Sequence, residues 1–200
     1  MSKHHITPKA IRTALAVLAV PAAAVAAPGA ATAGSSPRTA PTALTASASC
    51  PAGWASLPEA NSRMTAAPVT AVRTGRHACF DRLVVDLKGK APGYDVRYVS
   101  TVRQDGSGFA VPVRGGARLQ VVVRAPSYGA SGQPTYRPAN RRELSNVSGY
   151  RTFRQVAFAG SFEGQTTIGL GVRARLPFRV FTLAGPGTNS RLVVDVVHHW

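Results

Sequence analysis

The 200-residue chain is 44% hydrophobic, 16% charged and 7% aromatic, with a formal net charge of +16 and two cysteines. That length holds one ordinary domain with a tail, the apolar fraction excludes a wholly disordered chain, and no apolar run reaches the roughly 18 residues of a membrane-crossing helix. Two cysteines are too few for a disulfide-dense scaffold or, by themselves, for a zinc cage.

At the start of the chain, Lys3, Lys9 and Arg12 precede an apolar run from Ala14 to about Ala27, and Ala31-Thr32-Ala33 offers a small-x-small cleavage site. The pattern predicts a secretory signal peptide over residues 1–33 and not a membrane anchor, because the apolar run is short and Pro28 and Gly29 follow it. Cleavage removes three basic residues and no acid, leaving a secreted chain, extracellular or cell-wall associated, that still carries +13. Residues 34–68 form an approach segment. Its first part, Gly34 to about Ser49, is rich in Ala, Thr, Ser and Pro without a hydrophobic period and reads as a flexible leader. In an oxidising exterior Cys50 and Cys79 are expected to form a disulfide that closes a loop of roughly 30 residues. A lipid-modified Cys50 is the competing reading, although Ser47-Ala48-Ser49 lacks the preceding Leu of that signal. A metal site from His77 and Cys79 would lack a second pair of ligands, so neither metal nor cofactor is expected.

From about Val69 short apolar runs are punctuated by Gly, Pro and Asp. Eight strands are predicted: Thr70–Arg73, Arg82–Leu87, Asp95–Val99, Ala117–Arg124, Gln155–Ala159, Thr166–Val172, Arg179–Leu183 and Arg191–Val197. Alternation sets Leu83, Val85 and Leu87 on a buried face against Arg82, Val84 and Asp86. It does the same for Leu119, Val121 and Val123 against Arg118, Gln120 and Arg124, and for Ile168, Leu170 and Val172 against Thr167, Gly169, Gly171 and Arg173. The fold class expected is all-β, a compact antiparallel β-sandwich of about eight strands over residues 69–200. The glycines of the last run mark a place for a bulge or for close passage of another backbone. Asp81-Arg82-Leu83-Val84-Val85-Asp86 is echoed by Ser190-Arg191-Leu192-Val193-Val194-Asp195, either by chance or as a repeat, with Arg and Asp on the polar side of each strand.

Phe80-Asp81-Arg82-Leu83-Val84-Val85-Asp86-Leu87, Pro92-Gly93-Tyr94, Asp105-Gly106-Ser107-Gly108, Val111-Pro112-Val113, Phe162-Glu163-Gly164, Pro177–Leu183 and Arg191–Val196 occur in that order. Together they resemble the AMIN-like domain of secreted actinobacterial proteins. The resemblance implies a β-sandwich and a wall-associated, non-catalytic module, and it supplies no residue-level binding motif.

The inventory for catalysis is thin. Once the signal peptide is removed, His77, His198 and His199 remain, and the chain has neither a Gly-x-Ser-x-Gly elbow nor a His-Glu-x-x-His helix. Most acids sit on strand faces or in turns beside arginines, where ion pairing accounts for them, so no enzyme is expected. Asp105-Gly106-Ser107-Gly108 has one carboxylate, too few for a calcium cage, and reads as a tight turn. The segment from about Ala125 to Tyr150 is too long for a plain connector. It gathers Tyr128, Tyr136, Arg137, Arg141, Arg142 and Tyr150, with Arg151 just beyond. Arginine forks suit phosphate and carboxylate, and tyrosine faces suit sugar rings. These seven residues are the candidate ligand-binding set. The partners expected are peptidoglycan or anionic cell-wall polymers and not nucleic acid, since the chain is exported and carries no nucleic-acid motif. The alternative is a secreted protein-interaction domain, an inhibitor or assembly subunit, using the same loop against another envelope protein.

Overall fold

The computed structural model describes Cys50 and residues 52–200, so the predicted signal peptide and leader lie outside the described residues. The described chain contains eleven strands: β1 Glu59–Asn61, β2 Val69–Arg76, β3 Phe80–Leu87, β4 Tyr94–Val99, β5 Val102–Arg103, β6 Ala110–Val111, β7 Ala117–Val123, β8 Phe153–Phe162, β9 Gln165–Val172, β10 Phe178–Ala184 and β11 Ser190–Val197. The eight predicted strands are all present. The three additional ones are two or three residues long, too short for alternation to be visible.

Every pairing is antiparallel. One sheet runs β1-β4-β7-β9-β8, a second runs β10-β11-β3-β2, and β5 with β6 forms a separate hairpin. The valine-rich runs stack the two sheets face to face: Leu83, Val85, Leu87, Leu192 and Val194 from one meet Val96, Leu119, Val121, Ile168 and Leu170 from the other, with Phe153 and Phe178 filling the layer. Each of these side chains contributes about 1.5–3 kcal/mol by leaving water. The faces expected from alternation are the ones buried.

One face departs from expectation. β9 is covered on both sides, because the hairpin β5–β6 and the chain after it lie over its outer surface. Val102, Val113, Ala157 and Ala159 form a second apolar cluster there. The glycines make this approach possible: a Cβ at Gly171 would stand 1.8 Å from the Arg114 carbonyl oxygen, and one at Gly169 would stand 2.8 Å from the Val113 side chain. Thr167 is accordingly buried instead of solvated.

The echoed hexamers are hydrogen-bonded neighbours. In the β3–β11 register Arg82 faces Asp195, Val84 faces Val193 and Asp86 faces Arg191, so each segment supplies the complement of the other. The solvated face predicted for their polar residues is correct only in part. Asp195 has no exposed side-chain surface; it accepts a bidentate pair from Arg82 at 2.6 and 2.8 Å and two more bonds from Arg179 at 2.8 and 3.0 Å. Both guanidinium groups lie over aromatic rings, Arg179 at 4.4 Å from Trp54 and 4.8 Å from Phe181, and Arg82 at 5.2 Å from Phe80.

Cys50 and Cys79 are joined by a disulfide. It fastens the chain before β1 beside β3, where Trp54 packs on Phe80 and the Ala55 carbonyl accepts the Phe178 N–H at 2.8 Å. Residues 52–68 therefore run along the sandwich and add β1 to its edge, beside β4.

Candidate functional site

The chain between β7 and β8, residues 124–152, holds no strand and is tied down along its length. It shields two sheet edges. Leu144 N–H donates to the Val156 carbonyl at 2.8 Å and Phe158 N–H to the Arg141 carbonyl at 2.7 Å, both along the outer side of β8. At β2, Val69 N–H donates to the Pro126 carbonyl at 2.8 Å and the Thr135 hydroxyl to the Val69 carbonyl at 2.7 Å. A long loop anchored on two rigid edges is an ordered surface, the kind of scaffold on which recognition residues are held in place.

Four of the seven candidate residues converge. Tyr128, Tyr136, Arg137 and Arg141 line a groove of about 390 Å³ with Pro134 and Phe158. Tyr136 meets Phe158 edge-on with ring centres 5.9 Å apart, and the Arg141 guanidinium lies 5.0 Å over the same ring. The Tyr128 phenol oxygen accepts the Gly164 N–H at 2.9 Å, which fixes its ring at the groove. Burial pushes the Tyr136 phenol above its ordinary value of 10, so the hydroxyl stays protonated and can donate to a ligand. The groove thus combines aromatic faces with two exposed guanidinium groups.

The other three lie elsewhere. Tyr150 stacks on Phe153 at 5.8 Å and shares a 2.9 Å hydrogen bond with the Thr74 hydroxyl, which makes it part of the packing between loop and β2. Arg151 is exposed, and its carbonyl accepts a 3.3 Å bond from Arg154. Arg142 lines a larger groove of about 560 Å³ with Arg114, Arg118, Glu143 and Gln155. That groove lacks aromatic walls, and two of its three arginines are engaged: Arg114 pairs with Glu143 at 2.5 Å and Arg118 Nε donates to the Val113 carbonyl at 2.9 Å. Sequence reasoning missed Phe158 as a site residue. It sits on the edge strand β8 opposite Ile168, on the core-facing side, and its half-buried place in the groove is visible only once the loop is seen to pack beside that strand.

The ionisable pairs are structural in their geometry. Arg73–Asp86, Arg97–Asp95 and Arg114–Glu143 are ion pairs, as the acids beside arginines had suggested. Asp81 differs: buried, it accepts the Thr152 and Phe153 N–H groups at 2.6 and 3.0 Å and meets His198 Nε2 at 3.1 Å. His77 stacks on Phe80 at 4.5 Å. Among the described residues no hydrogen bond joins an imidazole to a Ser, Thr or Cys side chain, and no three His, Cys, Asp or Glu side chains gather as a metal cluster. Asp105–Gly108 forms the turn of the β5–β6 hairpin, with the Gly108 N–H on the Gln104 carbonyl at 3.1 Å and Gly106 at a positive φ of 77°.

No curated protein matches the chain. The model of the AMIN-like domain matches residues 67–198, which span β2 through β11 and include the whole loop with its aromatic groove. With two thirds of its length covered by that match, this β-sandwich chain belongs to the AMIN-like domain family.

Proposed function

We propose that the chain is a secreted, non-catalytic module that attaches to the cell envelope by binding peptidoglycan or the anionic polymers of the wall. Membership of the AMIN-like family, which suggests an envelope-associated module, carries this reading. The Tyr128–Tyr136–Arg137–Arg141 groove supports it with chemistry: ring faces for sugars, and guanidinium groups for the carboxylates or phosphates that such polymers bear. The charge of +13 left after removal of the signal peptide draws polyanions to the surface without selecting among them. A disulfide between Cys50 and Cys79 is compatible with an oxidising exterior.

Co-sedimentation of the chain with purified peptidoglycan, with and without its anionic polymers and across a salt series, tests the reading. Retention on the bare glycan at high salt is the expected result, because ring stacking is not screened as surface charge is. Arg141→Gln removes a charge-assisted donor and is expected to weaken retention about tenfold, in keeping with the roughly 1.5–3 kcal/mol of such a bond. Failure to sediment with either preparation overturns the reading and turns the search to protein partners of the same loop, whereas loss of binding when the anionic polymers are stripped overturns glycan recognition and leaves the polymers as the ligand.

A further inference from the structure

The outer face of the four-stranded sheet carries three cross-strand rows. Across β10, β11 and β3 they read Arg179, Asp195, Arg82; Phe181, Val193, Val84; and Leu183, Arg191, Asp86. β2 extends the first row with Gly75 and the second with Arg73. The two acid–base rows are complementary in sequence but are not used alike. Asp195 receives the arginine opposite it, whereas Asp86 takes both its bonds from Arg73, at 2.6 and 2.9 Å, and leaves its own cross-strand partner aside. Arg191 Nε is buried without a hydrogen-bond partner, and one terminal nitrogen makes only a 3.4 Å contact with the Ala184 carbonyl.

These side chains surround a groove of about 220 Å³. Its walls are Arg73, Arg82, Arg191 and His77, and its floor is Val84 and Val193. Neither Asp86 nor Asp195 lines it, because their oxygens are turned into the guanidinium forks. Gly75 keeps the β2 side of the groove low. A buried guanidinium N–H without an acceptor is costly, and with Arg73 and Arg82 paired to aspartates, Arg191 is the lining cation whose charge has no carboxylate partner and calls for an anion. Arg73 and Arg82 each commit Nε and one terminal nitrogen to an aspartate, which leaves each with one terminal nitrogen outside that pair, on separate walls of the groove. That arrangement suits the tetrahedral oxygens of a phosphate better than a planar carboxylate, which one open fork would match. The valine floor accepts carbon on either side of that phosphate.

We propose that this groove binds a phosphodiester, with Arg191 as the principal ligand of the phosphate and the flanking polyol carbons resting on Val84 and Val193. The site shares no lining residue with the aromatic groove, and its existence does not depend on glycan recognition there.

The test titrates the full chain with poly(glycerol phosphate) free of glycan and, in parallel, with inorganic phosphate, reading the ¹H–¹⁵N signals of arginine Nε–H groups and the affinity by calorimetry. The polymer is expected to move the Arg191 signal and to bind at least tenfold more tightly than inorganic phosphate. Arg191→Lys keeps the charge and the apolar stem but lacks Nε, and is expected to lose at least tenfold with an unchanged melting curve. Arg63→Gln, which removes an exposed charge outside both grooves, is expected to bind the polymer as the unaltered chain does. Binding that leaves the Arg191 signal unmoved, or that survives Arg191→Lys, reveals diffuse attraction to a basic surface and overturns the site. Equal affinity for inorganic phosphate overturns the diester assignment. The Arg191 signal of the unaltered chain decides the matter even where a variant does not fold, and the glycan-free probe separates this outcome from that of the sedimentation experiment.

Discussion

Asp195 shows how much one carboxylate organises on this surface. With no exposure of its own, it holds Arg82, whose side chain is 23% exposed, and Arg179, which is 41% exposed. Replacing it with Asn removes the charge that both guanidinium groups face. Breaking a fully buried pair costs about 3–5 kcal/mol, and the partial exposure of the two arginines lowers the expected loss here to about 2–3 kcal/mol. Urea denaturation of Asp195→Asn is expected to shift the midpoint accordingly with an unchanged slope. At this scale the sequence was informative about partners and silent about burial. That acids would meet arginines followed from their placement on strand faces. That Asp81 would instead accept two backbone N–H groups depends on where the chain returns at Thr152 and Phe153, more than 70 residues later, and no local pattern records it.

Among the elements, β9 is the most constrained. Its glycines read as a place where another backbone passes close, and the Arg114 carbonyl passes there. Gly171→Ala would force that carbonyl or the strand to shift, with an expected cost of about 2–3 kcal/mol, measurable as a lowered midpoint in thermal melts. The β3–β11 pair shows a different constraint. Hydrophobic alternation alone tolerates a slip of two residues, since the same side chains stay inward. Such a slip in one direction would set Arg82 against Val197 and Asp86 against Val193, so the charged residues distinguish the native register from its neighbours. The long strands were legible because seven or eight alternating residues outweigh local noise, whereas β1, β5 and β6 owe their existence to the strands they lie beside. The candidate loop was legible in composition, because tyrosines and arginines gather in it. Its geometry was not: Tyr150 and Arg142 point away from Tyr136, and the direction of each follows from anchors on β2 and β8 that sequence spacing does not reveal.

For the molecule as a whole, the Cys50–Cys79 disulfide joins the approach segment to the sandwich across 29 residues of sequence. Replacing both cysteines with serine restores the entropy of that loop to the unfolded chain, and the loss expected is about 3–4 kcal/mol, seen as a lower thermal midpoint that reductant no longer affects. Trp54 and β1 are expected to loosen first, because the other edge of the segment is held by few backbone bonds. The overall architecture was the most legible level of all, since order and spacing of the motifs carried the resemblance and the family match spans nearly the same residues, 67–198.

The sheet order β10-β11-β3-β2 has a further implication. The last strand in chain order is an interior one, wedged between two partners that were synthesised before it. A polypeptide delivered N-terminus first can pair β2 with β3 early, but β10 has no neighbour in its sheet until β11 follows. Closure is therefore a late event by construction: the layer stays split into halves, with one flank of β3 bare, until the final strand is inserted. The pairing that joins the halves links residues more than 100 apart in the chain, so its loop-closure cost precedes any reward from contact, and insertion of β11 is expected to be the slow step in forming this sheet.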